Sequence, residues 1–189
     1  MNEISLNKLL ETKKLFLVGF MATGKTTIGK RLSSKLNLPF LDSDKEIENH
    51  LQTSISEIFR VYGENKFREI EKKIILDKIN NNHINGFVMS LGGGAFLNSK
   101  IRELINSKGI SIWLNANIDI ISNRIANSKN ERPLTLKYNS KKKLEILLRE
   151  RIIYYQLANI KVNVINTSKE NMTKIILKKI NKHIMSKND

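Results

Sequence analysis

The chain has 189 residues, 40% of them hydrophobic, enough for one buried core and too few for two comfortable domains. Its longest apolar run, LFLVGFMA at 15–22, is too short to cross a bilayer, and residues 1–14 lack the order of a secretory signal, so neither a membrane nor an export role is expected. The absence of cysteine excludes disulfide and thiolate chemistry and makes a reducing cytoplasm the default, while the net charge of +15 is spread along the chain without interleaved aromatics, so no nucleic-acid partner is expected.

LFLVGF (15–20) reads as a first strand, followed by a glycine-containing loop and a helix with Ile28, Leu32 and Leu36 on one face. FLD (40–42), introduced by Pro39, is a second strand, and Asp44 is placed to cap a helix over 45–50. Ser54 and Glu57 have the spacing of a capping box for a helix that stops at Gly63. Phe67, Ile70 and Ile74 then line another helix, up to the asparagine cluster. Three more strands follow at FVMSL (87–91), ISIWLN (110–115) and VNVIN (162–166), with helices at 99–107, 118–126, 140–158 and 171–184. Strands alternating with helices predict one α/β domain over 1–189, with five parallel strands covered on both faces. The core spans 15–184, and 185–189 is a tail. Trp113 is expected in the core, and His50, His83 and His183 on the surface.

GFMATGKT (19–26) fits G-x-x-x-x-G-K-[ST] between a strand and a helix. In that context backbone N–H groups at a helix N-terminus wrap a nucleotide's phosphates. Lys25 would neutralise the β- and γ-phosphates, and Thr26 would offer its hydroxyl to a magnesium ion. Asp42 and Asp44 stand at i and i+2, so an extended chain would direct both toward the crevice at the carboxyl edge. In GENKFREIE (63–71), Arg68 and Glu71 are one helical turn apart, close enough to orient the guanidinium. An oriented fork suits a bidentate carboxylate, although such a pair taken alone is more often a plain surface ion pair. GFVMSLGGGAF (86–96) carries three consecutive glycines straight after a strand, a bare backbone that no strand or helix benefits from.

In this order and spacing, GFMATGKTTIG, FLDSD, GENKFREIE, LGGGAF, ERPL and RERIIYY resemble shikimate kinase, from about residue 15 to 167. The resemblance implies a P-loop kinase fold of the nucleoside monophosphate kinase-like type. That fold is a five-stranded parallel sheet in the order 2-3-1-4-5 with helices on both faces and a mobile lid, here 127–139. It implies transfer of the γ-phosphate of ATP to the 3-hydroxyl of shikimate, with Mg²⁺, by a monomer. Gly19, Ala22, Thr23, Gly24, Lys25, Thr26 and Thr27 would hold the nucleotide, Arg124 matching an adenine-stacking arginine and Arg132 a lid arginine that reaches the phosphates. Thr26 and Asp42 would support the metal ion. Asp44 would hold the substrate hydroxyls and act as base, Arg68 and Arg151 would grip its carboxylate, and Gly92, Gly93 and Gly94 would close against it. With Lys25 and Arg132, Asp44 completes the catalytic set. Departures are Leu91, where a hydroxyl is expected before the glycines, and Arg151-Ile-Ile-Tyr-Tyr155, which lacks the usual proline and makes Arg149 a rival of Arg151. Two other readings remain open at this point: a same-fold kinase of another small acceptor such as gluconate, or a basic NTP-dependent nucleic-acid protein.

Overall fold

The computed structural model describes residues 10, 12–81, 83, 85–127 and 140–186. Its strands are β1 (Lys14–Val18), β2 (Phe40–Asp42), β3 (Phe87–Ser90), β4 (Gly109–Asn115) and β5 (Ile160–Asn163). Its helices are α1 (Lys25–Leu36), α2 (Ser43–Leu51), α3 (Ile55–Asn80), α4 (Ser99–Lys108), α5 (Ile118–Ala126), α6 (Lys141–Tyr155) and α7 (Lys169–Met185). The strands form one sheet in the order β2-β3-β1-β4-β5, and every pairing is parallel.

Alternation along β1 explains why both faces are covered. Phe16 and Val18 enter one apolar layer, with Ile75 and Ile79 of α3, Ile101 of α4 and Leu147 of α6. Leu15 and Leu17 enter the opposite layer, with Leu32 of α1 and Ile176 and Ile180 of α7. A strand buried on both faces needs an unbroken apolar run, which is what KLFLV supplies after its lysine. Trp113 is buried in the first layer. Among the described residues no helix is long and apolar enough to cross a membrane.

Several expectations are met in detail and others are corrected. Ser54 Oγ accepts from the Glu57 N–H at 3.2 Å, and the helical run breaks at Gly63, whose φ of 75° and ψ of 174° divide α3 into two stretches. The last strand is Ile160–Asn163 rather than 162–166. Its inward residues are Ile160 and Val162, and only one further ladder-like bond, from Val164 N to Asn115 O at 2.7 Å, prolongs it. The second helix starts at Ser43, so Asp42 and not Asp44 is its cap, accepting from the Asp44 N–H at 3.2 Å. His50 and His83 are exposed, but His183 is half-buried on α7.

Gly109 opens β4 opposite Lys14. A Cβ there would lie 2.3 Å from the Lys14 carbonyl oxygen and 2.6 Å from Phe16 Cε2. Neither a paired backbone nor a core ring can yield easily, so Gly109→Ala should cost about 1–3 kcal/mol of stability. At roughly 2–4 °C per kcal/mol for a chain of this size, thermal unfolding will read it, and an unchanged melting temperature would contradict the packing described.

Candidate active site

The carboxyl ends of β1, β2 and β3 carry the P-loop, the DSD turn and the glycine triplet. Parallel strands point all three loops the same way, into the crevice outside the sheet edge. Two adjoining clefts of about 510 and 970 Å³ open there, sharing Met21, Thr26, Asp42, Asp44, Gly92 and Gly93.

In the P-loop, Gly19 and Gly24 have φ of 137° and 99°, and Ala22 adopts φ of 60°. Such alternation turns successive N–H groups inward as an anion-binding nest. A side chain at Gly19 would also meet the Leu114 carbonyl oxygen at 2.7 Å. Thr23 Oγ1 donates to Phe20 O at 2.9 Å. The buried Lys25 ammonium donates to Gly19 O and Phe20 O at 3.0 and 2.8 Å, which holds it across its own loop. Arg124 reaches over the loop and donates to Ala22 O at 3.1 Å. Beyond it the smaller cleft is walled by Ile125, Val164, Ile165, Thr167 and Met172.

Thr26 Oγ1 donates to Asp42 Oδ2 at 2.8 Å and stands 3.4 Å from Ser90 Oγ. Asp42, Thr26 and Ser90 therefore form one oxygen cluster at the mouth of the P-loop. Asp44 lies on the first turn of α2, not on an extended strand, and reaches both clefts from there. The two aspartates converge as expected, through a strand-to-helix corner instead of a β pleat.

Each glycine of the triplet faces a different charged group. An added Cβ at Gly92 would lie 2.6 Å from Glu71 Oε1 and 2.8 Å from Asp44 Oδ1. At Gly93 it would meet Arg151 Nη1 at 3.4 Å, and at Gly94 the Arg68 guanidinium at 2.5–2.7 Å. The Gly92 N–H donates to Ser43 Oγ at 2.8 Å. Tyr155 donates its hydroxyl to Gly93 O. The larger cleft thus has a bare-backbone wall with Asp44, Arg68 and Arg151 around it.

Arg68 Nη1 donates to Glu71 Oε2 at 2.7 Å, with Glu64 Oε1 at 3.2 Å on its other nitrogen. The Glu71 side chain is only 1% exposed, so this is not a surface ion pair. Burial pushes the Glu71 carboxyl up from its ordinary range, against the pull of Arg68, and the neighbouring Asp44 adds to the rise. Arg151 is buried, 5% exposed, and its Nε and Nη1 find no hydrogen-bond partner among the described residues. Buried donors left in this way on a cleft wall are the natural complement of an anionic ligand. Arg149 instead pairs with Glu145 at 2.7 Å on the solvent side, 77% exposed, so Arg151 and not Arg149 faces the cleft.

Apart from Gly19, whose carbonyl serves Lys25, the described residues that the resemblance assigns to nucleotide, metal ion or acceptor all line one or both clefts. Arg132 and the lid positions 128–139 lie outside the described residues. Ser90 and Ser43 were missed. Leu91, where a hydroxyl was expected, is 2% exposed in the core and binds Leu17 O through its N–H at 3.1 Å. The hydroxyl beside Thr26 comes from Ser90, one residue earlier; strand alternation could have signalled this, since Met89 and Leu91 both face the core.

Fold and site together define a P-loop kinase. The family model described as shikimate kinase matches residues 21–181. The chain belongs to the shikimate kinase family, and is accordingly an ATP-dependent kinase, a transferase. A shikimate kinase of Bartonella quintana (strain Toulouse) is 38% identical over 93% of this chain and 81% of its own length. One from Brucella canis (strain ATCC 23365 / NCTC 10854 / RM-666) is 37% identical over 88% of this chain and 81% of its own. Among solved structures, shikimate kinase from Acinetobacter baumannii in complex with shikimate superposes with a TM-score of 0.85 at 32% identity, covering 93% of this chain and 97% of that one. A gluconokinase from Sinorhizobium meliloti 1021 shares the fold alone, with a TM-score of 0.58 at 11% identity over 91% of this chain and 93% of its own.

Glu71→Gln removes the buried charge opposite Arg68 and leaves the exposed Glu64 as its ionic partner among the described residues. The variant should raise the acceptor KM by roughly tenfold, the loss of about one charge-assisted hydrogen bond, with the KM for ATP unchanged. Steady-state kinetics will decide, and a parallel rise in both constants would mean that the pair only supports the helix.

Proposed function

We propose that this chain transfers the γ-phosphate of ATP to the 3-hydroxyl of shikimate, giving shikimate 3-phosphate and ADP. The observation that carries this reading is the convergence of Asp44, Arg68 and Arg151 on the bare wall of Gly92–Gly94, beside the P-loop mouth. Shikimate offers a carboxylate for the two guanidinium groups and ring hydroxyls for a carboxylate. A nucleoside monophosphate acceptor would instead ask for base contacts.

The P-loop backbone from Gly19 to Thr27 cradles the ATP phosphates, with Arg124 over the loop toward the base. Lys25 neutralises charge as it spreads over the transferring group. Asp44 accepts the proton of the 3-hydroxyl while that oxygen bonds to the γ-phosphorus and the bond to the β-phosphate oxygen breaks, leaving ADP. Arg68 and Arg151 hold the acceptor carboxylate, so that the hydroxyl is presented in line. Arg132, which the resemblance matches to a phosphate-reaching arginine, would add positive charge at the phosphates.

The hydroxyl of Thr26 and the carboxylate of Asp42, 2.8 Å apart with the Ser90 hydroxyl near by, are hard oxygen donors that suit Mg²⁺. Thr26 and Asp42 would hold the ion. When bound, it supplies charge neutralisation on the β- and γ-phosphate oxygens.

The test is ADP release with ATP and Mg²⁺, alone or with shikimate, gluconate or AMP. Shikimate alone should stimulate release, and the Arg132→Ala chain should turn over about 10²-fold more slowly or worse. No stimulation by shikimate would refute the acceptor assignment, and unchanged turnover in the variant would remove Arg132 from the mechanism.

A further inference from the structure

Tyr155 ends α6 with its ring fully buried, its centroid 6.1 Å from that of Trp113 in the apolar layer under the sheet. Nothing in that layer calls for a hydroxyl, and phenylalanine would fill the same space. A buried phenol needs a hydrogen-bond partner, and the acceptor it reaches is not in the core: it is the carbonyl oxygen of Gly93, in the middle of the acceptor wall. Arg151 lies one helical turn earlier on α6, and its guanidinium faces the same phenol oxygen. Its Nη1 also lies 3.4 Å from where a Gly93 side chain would begin. A single hydroxyl therefore joins the wall to the cation that faces it.

The triplet is anchored from its other side as well, by Ser43 Oγ on the Gly92 N–H. These two bonds hold Gly92 and Gly93; Arg151 packs against Gly93, and Arg68 against Gly94, the next residue. Burial pushes the phenol up to about 12, so it stays a donor throughout the neutral range.

We propose that Tyr155 is a positioning residue of the acceptor subsite, its hydroxyl setting the distance between the Gly93 backbone and the Arg151 guanidinium. The inference rests on the acceptor reading above and deepens it. Tyr155 itself does not touch the reacting atoms. It acts through the carbonyl it holds and the guanidinium it steadies.

Tyr155→Phe keeps the ring against Trp113 and removes only the hydroxyl. Steady-state kinetics, paired with calorimetric titration of shikimate alone, provide the readout. Both the KM and the Kd for shikimate should rise about five- to tenfold, the scale of one lost hydrogen bond with a carbonyl left unpaired. The KM for ATP should not move. A lowered melting temperature with both shikimate constants unchanged would overturn the proposal, as would a KM for ATP that rises in step with that for shikimate. An unsubstituted chain that ignores shikimate would overturn this proposal and the assigned function together. A phenylalanine variant that matches a shikimate-responsive parent overturns the Tyr155 role alone.

Discussion

The acceptor cleft depends on a stretch of backbone that carries no side chains. Between Gly92 and Gly94, two carboxylates and two guanidinium groups approach the main chain more closely than any Cβ would allow at its two ends. Repulsion between the like charges of Glu71 and Asp44 is tolerable because Arg68 ties down the first of them at 2.7 Å. Burying such a group is unfavourable unless it is paired, and the pairing in turn fixes Arg68 over Gly94. The charge arrangement and the bare backbone are therefore one feature, and neither persists without the other.

The rest of the fold serves to deliver that arrangement next to a nucleotide site. Five parallel strands with apolar residues on both faces form a rigid platform, and three of their loops open on the same edge. The corner at Asp42 is what couples the two clefts. Its carboxylate accepts from Thr26 on the P-loop side and from the Asp44 N–H on the acceptor side. One side chain thus sets the position of α2, and with it the reach of Asp44 into the cleft.

Much of this was legible in the residues. The doubly buried strands announce themselves as continuous apolar runs, and the P-loop glycines mark backbone that must take positive φ. GENKFREIE showed that Arg68 and Glu71 could pair, but not that Glu71 would be buried, because burial depends on what packs across from the helix. The route of Asp44 was misjudged for a related reason. Asp42 is a good cap as well as a good strand end, and helix initiation at Ser43 won over a longer strand. Alternation puts Ser90 on the opposite face from Met89 and Leu91, but that this face is the one covered by α1 and Thr26 is a tertiary fact. For Tyr155, the spacing from Arg151 was visible while the carbonyl it would meet, 62 residues away, was not.

Gly94 offers the most direct test of the claim that the bare wall positions the acceptor's cations. Its φ of −101° and ψ of −15° suit any residue, so Gly94→Ala changes contact without straining the backbone. The atoms nearest the new methyl would be those of the Arg68 guanidinium, at 2.5–2.7 Å, and this side-chain end must swing aside, away from Glu71. Equilibrium titration of the variant should show shikimate binding weakened by roughly tenfold or more, as expected for a lost charge-assisted contact, with nucleotide binding preserved and the melting temperature lowered by the loosened Arg68–Glu71 pair. Shikimate affinity equal to that of the unsubstituted chain would contradict the account.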